Sequence, residues 1–320
     1  MSSQTNRSVD EFIDGVSLVA PPRPFSQNPS IDIKALGADW VAIIPYGFTP
    51  ADVPAVYFNQ SRQWWGESKE GIIETIRHCR ESGMKIMLKP QIWAHRMWSG
   101  DIFYENDSDW IAWEAGYEDY IIHMADIADS MNVEILCVGT ELKKSVASRP
   151  DFWRQLIDQI GKRYGGKLTY AANWDSYDAF PVWDRLDYIG VDAYFPLSDS
   201  RHPARKDLMK AWKPISLKME KLSQETGKSI LFTEFGYLST DYNTHNTWEK
   251  ENKMDELDVN EEAQAIALDV LFECFYPKNW WAGGFIWKWY PHDYRIRNKA
   301  KDYTVQDKQA QQVLRKWYNK

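Results

Sequence analysis

Cysteine is scarce in this chain: 320 residues hold only Cys79, Cys137 and Cys274. They form neither a C-x-x-C pair nor an even set, which argues against a disulfide framework and leaves three buried thiols as the expectation. Long apolar runs are missing as well. No stretch of 18 apolar residues is available to cross a bilayer, and the opening MSSQTNRSVDEF lacks the apolar segment of a signal peptide. A trimmed N-terminus would leave secretion or the periplasm open as the compartment. Positive charge is in deficit, 38 Lys and Arg against 46 Asp and Glu for a net charge of -8, so neither nucleic acid nor an anionic membrane surface is expected as the main partner. Three catalytic signatures are absent. There is no G-x-S-x-G elbow for an esterase and no H-E-x-x-H for a zinc protease. There is also no H-x-H on the first candidate strand, as a barrel metal hydrolase would need. His292-Asp293 is a weak exception, and no cofactor is expected.

What the chain has in quantity is aromatic surface, with 17 Trp, 17 Tyr and 13 Phe, in an otherwise ordinary globular balance of 44% hydrophobic and 26% charged residues. Runs rich in β-branched and aromatic residues mark eight strands: 15–20, 39–46, 85–93, 133–142, 167–174, 186–195, 229–237 and 281–290. Most are apolar at successive positions, as strands covered on both faces are. Helical periodicity fills the gaps. SKEGIIETIRHCRESG places Ile72, Ile73, Ile76 and Cys79 on one face and ends at Gly83, and Asp258 with Glu261 reads as a capping box ahead of AQAIALDVLFECFY. Further helices are expected near Pro150, near Pro203 and over 305–318, with a stunted one between the fifth and sixth strands. Strands alternating with helices, without a linker or low-complexity tract, predict an α/β fold: one (β/α)8 TIM barrel over residues 1–320. The alternative, an open doubly wound sheet, would normally show G-x-G-x-x-G after its first strand; GVSLVAPPRPF has prolines there.

In a barrel the C-terminal strand ends face the catalytic mouth. Two strands end in the same way, VGTEL at Glu141 and LFTEFGY at Glu234. A lone charge closing an apolar strand is costly unless it is paired, neutralised or wet. The plain alternative for either glutamate is an ion pair or a helix cap, but two matching ends on the fourth and seventh strands aim both carboxylates at one cavity. That is the requirement of glycoside hydrolysis, in which one carboxyl protonates the leaving oxygen and the other attacks or activates water.

These residues resemble the acid/base and nucleophile strands of the retaining (β/α)8 glycoside hydrolase clan, and within it the β-1,4-mannanases of glycoside hydrolase family 113. The likeness runs from GVSLV through ALGADWVAIIPY, VGTEL, GVDAYFPL and TEFGY to GGFIWKWYP. The resemblance implies a retaining β-1,4-mannan or mannooligosaccharide hydrolase, endo- or exo-acting, with Glu141 as acid/base and Glu234 as nucleophile. It also implies Tyr194 as the tyrosine beside the nucleophile, against the plain reading of a core aromatic. The chain departs from the clan at Thr140, where Asn commonly contacts the sugar 2-hydroxyl; Thr140 itself or Asn173 is the candidate for that contact.

Flat indole faces suit the C–H faces of pyranose rings. Trp287 is expected to floor the subsite of the cleaved sugar, with Trp64, Trp65, Trp93, Trp98 and Trp174 as candidates elsewhere; Trp110, Trp113 and Trp153 sit at helical spacing and read as core. Lys89, Gln91, His95 and Arg96 are candidates to bind sugar hydroxyls, or else solvated loop groups. The alternatives in function are a retaining hydrolase of another neutral β-glycan such as glucan or galactan, and a non-catalytic carbohydrate-binding barrel. An aldolase or isomerase barrel would need a phosphate-binding glycine motif after strands seven and eight or a Schiff-base lysine, and only Lys89 is placed for the latter.

Overall fold

A computed structural model describes residues 12–251, 253–292 and 294–320. Ten strands occur in them: β1 (Ile13–Leu18), β2 (Trp40–Ile43), β3 (Tyr46–Thr49), β4 (Lys85–Leu88), β5 (Gln91–Ala94), β6 (Ile135–Thr140), β7 (Lys167–Asn173), β8 (Ile189–Asp192), β9 (Ile230–Phe235) and β10 (Trp281–Trp289). Eight of them close a parallel barrel in the order β1-β10-β9-β8-β7-β6-β4-β2, as the alternation predicts. The second and third predicted strands are each cut in two. Pro45 and Pro90 have no N–H to give to a ladder, and past them β3 and β5 pair as a separate two-stranded ribbon above the barrel. The Tyr120 hydroxyl donates to the Pro45 carbonyl at the break, 2.9 Å away.

The outer layer contains α1 (Ser30–Leu36), α2 (Lys69–Glu81), α3 (Asp107–Ser130), α4 (Lys143–Ser148), α5 (Pro150–Ile160), α6 (Arg205–Thr226), α7 (Thr247–Glu251), α8 (Glu261–Phe275) and α9 (Gln309–Tyr318). α2 starts where the Ser68 side chain accepts from Gly71 N–H, and Gly83 beyond its end takes the left-handed conformation expected of it. The capping box expected at Asp258 does not form: Asn260 caps α8, accepting from Ala263 N–H at 2.9 Å, while Asp258 pairs with Arg201. Between β7 and β8 only short 3-10 turns at Tyr177–Ala179 and Trp183–Arg185 occur, matching the stunted crossover. Cys79 and Cys137 are buried, whereas Cys274 is only half-buried. The last helix ties back to the first strand, the Tyr318 hydroxyl donating to the Gly15 carbonyl at 2.9 Å.

Two apolar clusters follow from strand alternation. One lies between barrel and helices and takes in Trp110, Trp113 and Trp153, as their spacing predicts. The smaller one plugs the barrel bottom with Ile13, Trp40, Ala42, Met87, Ile135, Leu231 and Phe285. Two residues beyond Met87 and three beyond Leu231, the interior turns polar: Lys89 and Glu234 are both buried there, together with Asp192. The barrel is thus dry below and charged above, and the charged end is the mouth.

Candidate active site

Three barrel strands lose their regular register at the residues of interest. In β6 the partners step from Cys137 to Thr140 while β7 advances only from Thr169 to Ala171. In β9 the step from Phe232 to Glu234 faces a single step from Val191 to Asp192. In β10 Ile286 and Trp289 face Val16 and Leu18 of β1. Each extra residue is a bulge, and a bulge re-aims the side chains beyond it. Strict alternation would put Thr233 inward and Glu234 outward. With the bulge both serve the mouth, Thr233 Oγ1 donating to Asp192 Oδ1 at 2.8 Å and Glu234 lining the cleft. The β6 bulge diverts Val138's carbonyl, which accepts from the Tyr117 hydroxyl of α3 at 3.0 Å. Immediately after it Glu141 adopts φ +54°, a left-handed conformation that costs a non-glycine residue about 1–2 kcal/mol. Two hydrogen bonds hold it there: Glu141 N–H to the Ala171 carbonyl at 2.8 Å, and Leu142 N–H to the Tyr170 hydroxyl at 2.8 Å.

Glu141 and Glu234 line one open cleft of ≈ 560 Å³, with Gln91, Trp98, Asn173, Trp174, Tyr194 and Trp287 among the residues around it. Glu234 receives three donors. Lys89 and Gln91 both reach Oε1, the latter at 2.7 Å, and the Tyr194 hydroxyl donates to Oε2 at 2.8 Å. Burial and the adjacent Glu234 charge hold the Tyr194 hydroxyl well above its ordinary range, so it stays a donor. Glu141 has one donor, Trp98 Nε1 at 2.8 Å. Burial, then the charge of Glu234, push its carboxyl up to about 7, against the weaker pull of Trp98 and Lys89. The two carboxyls therefore have opposite leanings, one prone to keep a proton and one supplied with donors for its anion.

Lys89 does not face the cleft where a sugar would lie. It is fully buried beneath Glu234, its Nζ 3.4 Å from Asp192 Oδ2, because two residues along the strand from the barrel-plug Met87 an inward side chain has nowhere else to point. Trp93 departs from expectation too: it sits on the outer face of the β3–β5 ribbon, 55% exposed and stacked on Phe48, away from the cleft lining. His95 packs edge-on against Trp93, and Trp64 lies tilted against Tyr294 at 57°. Asn173, Trp174, Tyr194 and Trp287 do line the cleft. Asn173 Oδ1 accepts from Trp174 N–H at 2.9 Å, and Thr140 gives its hydroxyl to the Pro90 carbonyl at 3.3 Å.

Several lining residues were not singled out from the sequence. Trp248 of α7 stacks on Trp174, centroids 5.6 Å apart at 26°, and Glu251, Tyr303 and Asp175 complete that side. Asp192 closes β8 inside the GVDAYF motif, as Glu141 directly follows β6; a carboxylate at the end of an apolar strand was the available signal. Among the described residues no group of three or more His, Cys, Asp or Glu could hold a metal, and no helix is long and apolar enough to cross a membrane. Asp293 of the His292-Asp293 pair and the first eleven residues of the chain lie outside the described residues.

The family model described as Glycoside Hydrolase Family 113 matches residues 27–308. Among solved structures, a family 113 β-1,4-mannanase complex superposes with a TM-score of 0.80 at 24% identity, covering 97% of this chain and 99% of that one. A family 113 β-mannanase from Alicyclobacillus acidocaldarius in complex with ManMIm gives 0.80 at 22% identity, with 96% and 97% covered. A β-glucuronidase from Ruminococcus gnavus gives 0.62 at 14% identity, with 96% of this chain matching 50% of that one. No curated protein sequence matches the chain.

Proposed function

The chain belongs to glycoside hydrolase family 113, and from that membership we propose that it hydrolyses β-1,4-mannan or mannooligosaccharides with retention, Glu234 acting as nucleophile and Glu141 as acid/base. The observation that carries the reading is the pair of opposed carboxyls in one cleft. Glu234 accepts from Lys89, Gln91 and Tyr194, which favours its anion. Glu141, pushed up to about 7, holds a proton to give.

In the first step a Glu234 oxygen bonds to the anomeric carbon as the bond to the leaving sugar breaks, and Glu141 passes its proton to that leaving oxygen. Esterified Glu234 has no charge. The repulsion that helps push Glu141 upward is then gone, and Glu141, now ionised, takes a proton from water as the water attacks the anomeric carbon and Glu234 leaves as a carboxylate. Trp287 shares the cleft with Glu234 and would offer its indole face to a pyranose ring, and the stacked Trp174 and Trp248 would offer a second aromatic surface. With the Thr140 hydroxyl donated to the Pro90 carbonyl, the Asn173 amide is the better-disposed donor to the sugar 2-hydroxyl.

The test is to incubate the protein with mannan, cellulose, xylan and galactan oligosaccharides and follow by NMR the anomer first released. Release of the β-anomer from mannooligosaccharides is expected. An inverted anomer overturns the nucleophile role, and so does undiminished turnover by Glu234→Ala. Preferential cleavage of glucan or galactan would keep the mechanism and change the sugar, while no cleavage of any of them would leave a carbohydrate-binding barrel.

A further inference from the structure

Lys89 is wholly buried at the mouth of the barrel, and its surroundings bear on how the nucleophile works. It follows the last residue of β4, with its ammonium between Glu234 Oε1 and Asp192 Oδ2. Asp192 is itself fixed by Thr233 Oγ1 on its other oxygen, at 2.8 Å. The remaining titratable groups facing Lys89 and Glu234 come from several elements. Cys137 on β6 and Tyr46 at the head of β3 flank Lys89, while Glu141, Tyr194, Tyr303 and Glu251 surround Glu234. Burial pushes Tyr46 and Cys137 up as neutral groups, Cys137 to about 11. Lys288 of β10 lies 4.0 Å from Glu251, so among the described residues Lys89 is the cation set directly against Glu234 and Asp192.

We propose that Lys89 is a positioning residue for the proposed hydrolysis: pinned from below by Asp192, it is the counter-ion that keeps Glu234 ionised and turned toward the substrate. The role rests on Glu234 being the nucleophile. An ammonium with no access to water needs an anion at every stage, because removing one member of a buried pair leaves an uncompensated charge. In the free enzyme Glu234 supplies it. When Glu234 becomes an ester, Asp192 is 3.4 Å away and receives the ammonium, which returns to Glu234 as the ester is hydrolysed. Burial and the Glu234 charge both hold the Asp192 carboxyl well above its ordinary range, and loss of that charge on esterification relieves the second of these. Lys89 thus exchanges partners once per turnover without meeting the sugar.

The experiment is a pH profile of kcat/KM on mannohexaose for wild type, Lys89→Met, Lys89→Arg and Glu234→Ala. Without the lysine, the Glu234 anion loses its counter-ion and a higher pH is needed to remove its proton. The acidic limb of Lys89→Met is expected to move up by about one pH unit or more, a tenfold change in proton affinity per unit, and kcat/KM below that limb is expected to fall at least about tenfold. Lys89→Arg, which keeps the charge, is expected to return the limb to within a few tenths of wild type even if its rate is lower. A lysine that merely packs would lower the rate without moving the limb, and an unmoved limb in folded Lys89→Met overturns the proposal. If Lys89→Met does not fold, Asp192→Asn decides: Lys89 then has Glu234 as its one anionic partner, so the limb stays or moves to lower pH, and an upward shift overturns the proposal. Glu234→Ala separates the two layers. Retained turnover there removes the hydrolysis reading itself, whereas a dead Glu234→Ala beside an unmoved Lys89→Met limb removes only the role of the lysine.

Discussion

Replacing Glu141 by Gln should stabilise the protein at high pH and not at low pH. The Glu141 carboxyl titrates near its ordinary 4.5 in the unfolded chain and at about 7 in the fold, first because its half-buried position strips water from it and second because Glu234 is charged. An acid whose affinity for protons rises on folding makes the folded state the better proton binder, so stability declines as pH climbs from below 4.5 to above 7. Each pH unit between those values is worth about 1.36 kcal/mol, which places on the order of 3 kcal/mol against the fold at pH 8. A glutamine of nearly the same shape never acquires the charge. Urea unfolding at pH 4.5, 6 and 8, comparing Glu141→Gln with wild type, should give a stability difference that grows with pH by about 2–3 kcal/mol and is smallest at the acidic end. A difference that stays flat, or that shrinks toward pH 8, would refute the claim that this carboxyl resists ionisation in the folded molecule. The same titration governs turnover, since a general acid must hold its proton, and the rate should fall above about pH 7.

Trp98→Phe removes the hydrogen bond that favours ionised Glu141, so the basic limb of the kcat/KM profile should move to higher pH by up to about one unit; a shift to lower pH would contradict the sign. Tyr194→Phe takes away the donor on Glu234 Oε2, and a hydrogen bond to a charged group, worth about 1.5–3 kcal/mol, corresponds to a loss of about 10- to 100-fold in kcat/KM. Far-UV circular dichroism should be unchanged in that variant. Gly190→Ala would bring a Cβ to 2.2 Å from the Tyr170 carbonyl oxygen, a backbone atom that cannot swing aside, and urea unfolding should show a loss of at least about 1–3 kcal/mol.

The barrel was legible because strands covered on both faces spell out continuous apolar runs, and eight such runs alternate with helical periods. The interruptions at Pro45 and Pro90 were visible as prolines, but their result, a ribbon standing off the barrel, depends on two breaks lying side by side in space. Glu141 and Glu234 stood out because a charge that ends an apolar strand contradicts its context. Asp192 has the same character, yet one carboxylate within a motif already read for its tyrosine drew no separate notice. Lys89 and Trp93 were misplaced for a common reason. Beyond a strand end the two-residue alternation decides between barrel interior and outer rim, and Pro90 together with the ribbon fixes that alternation only in three dimensions. The bulges in β6, β9 and β10 leave no mark in the sequence, since one added residue in a ladder is a property of the pair of strands.

The hydroxyl of Tyr318 on the carbonyl of Gly15 belongs to a ring that joins its first strand to its last. β1 has β10 as one neighbour and receives that hydroxyl from α9, so both contacts wait until β10 and α9 have been made. While the ribosome makes the chain from its N-terminus at about 5–20 residues per second, the edge of β1 that β10 will cover stays unpaired for many seconds after β2 is available to it. The nascent polypeptide thus carries an open strand edge from the making of β1 until the making of β10, the period in which a chaperone has the most to shield.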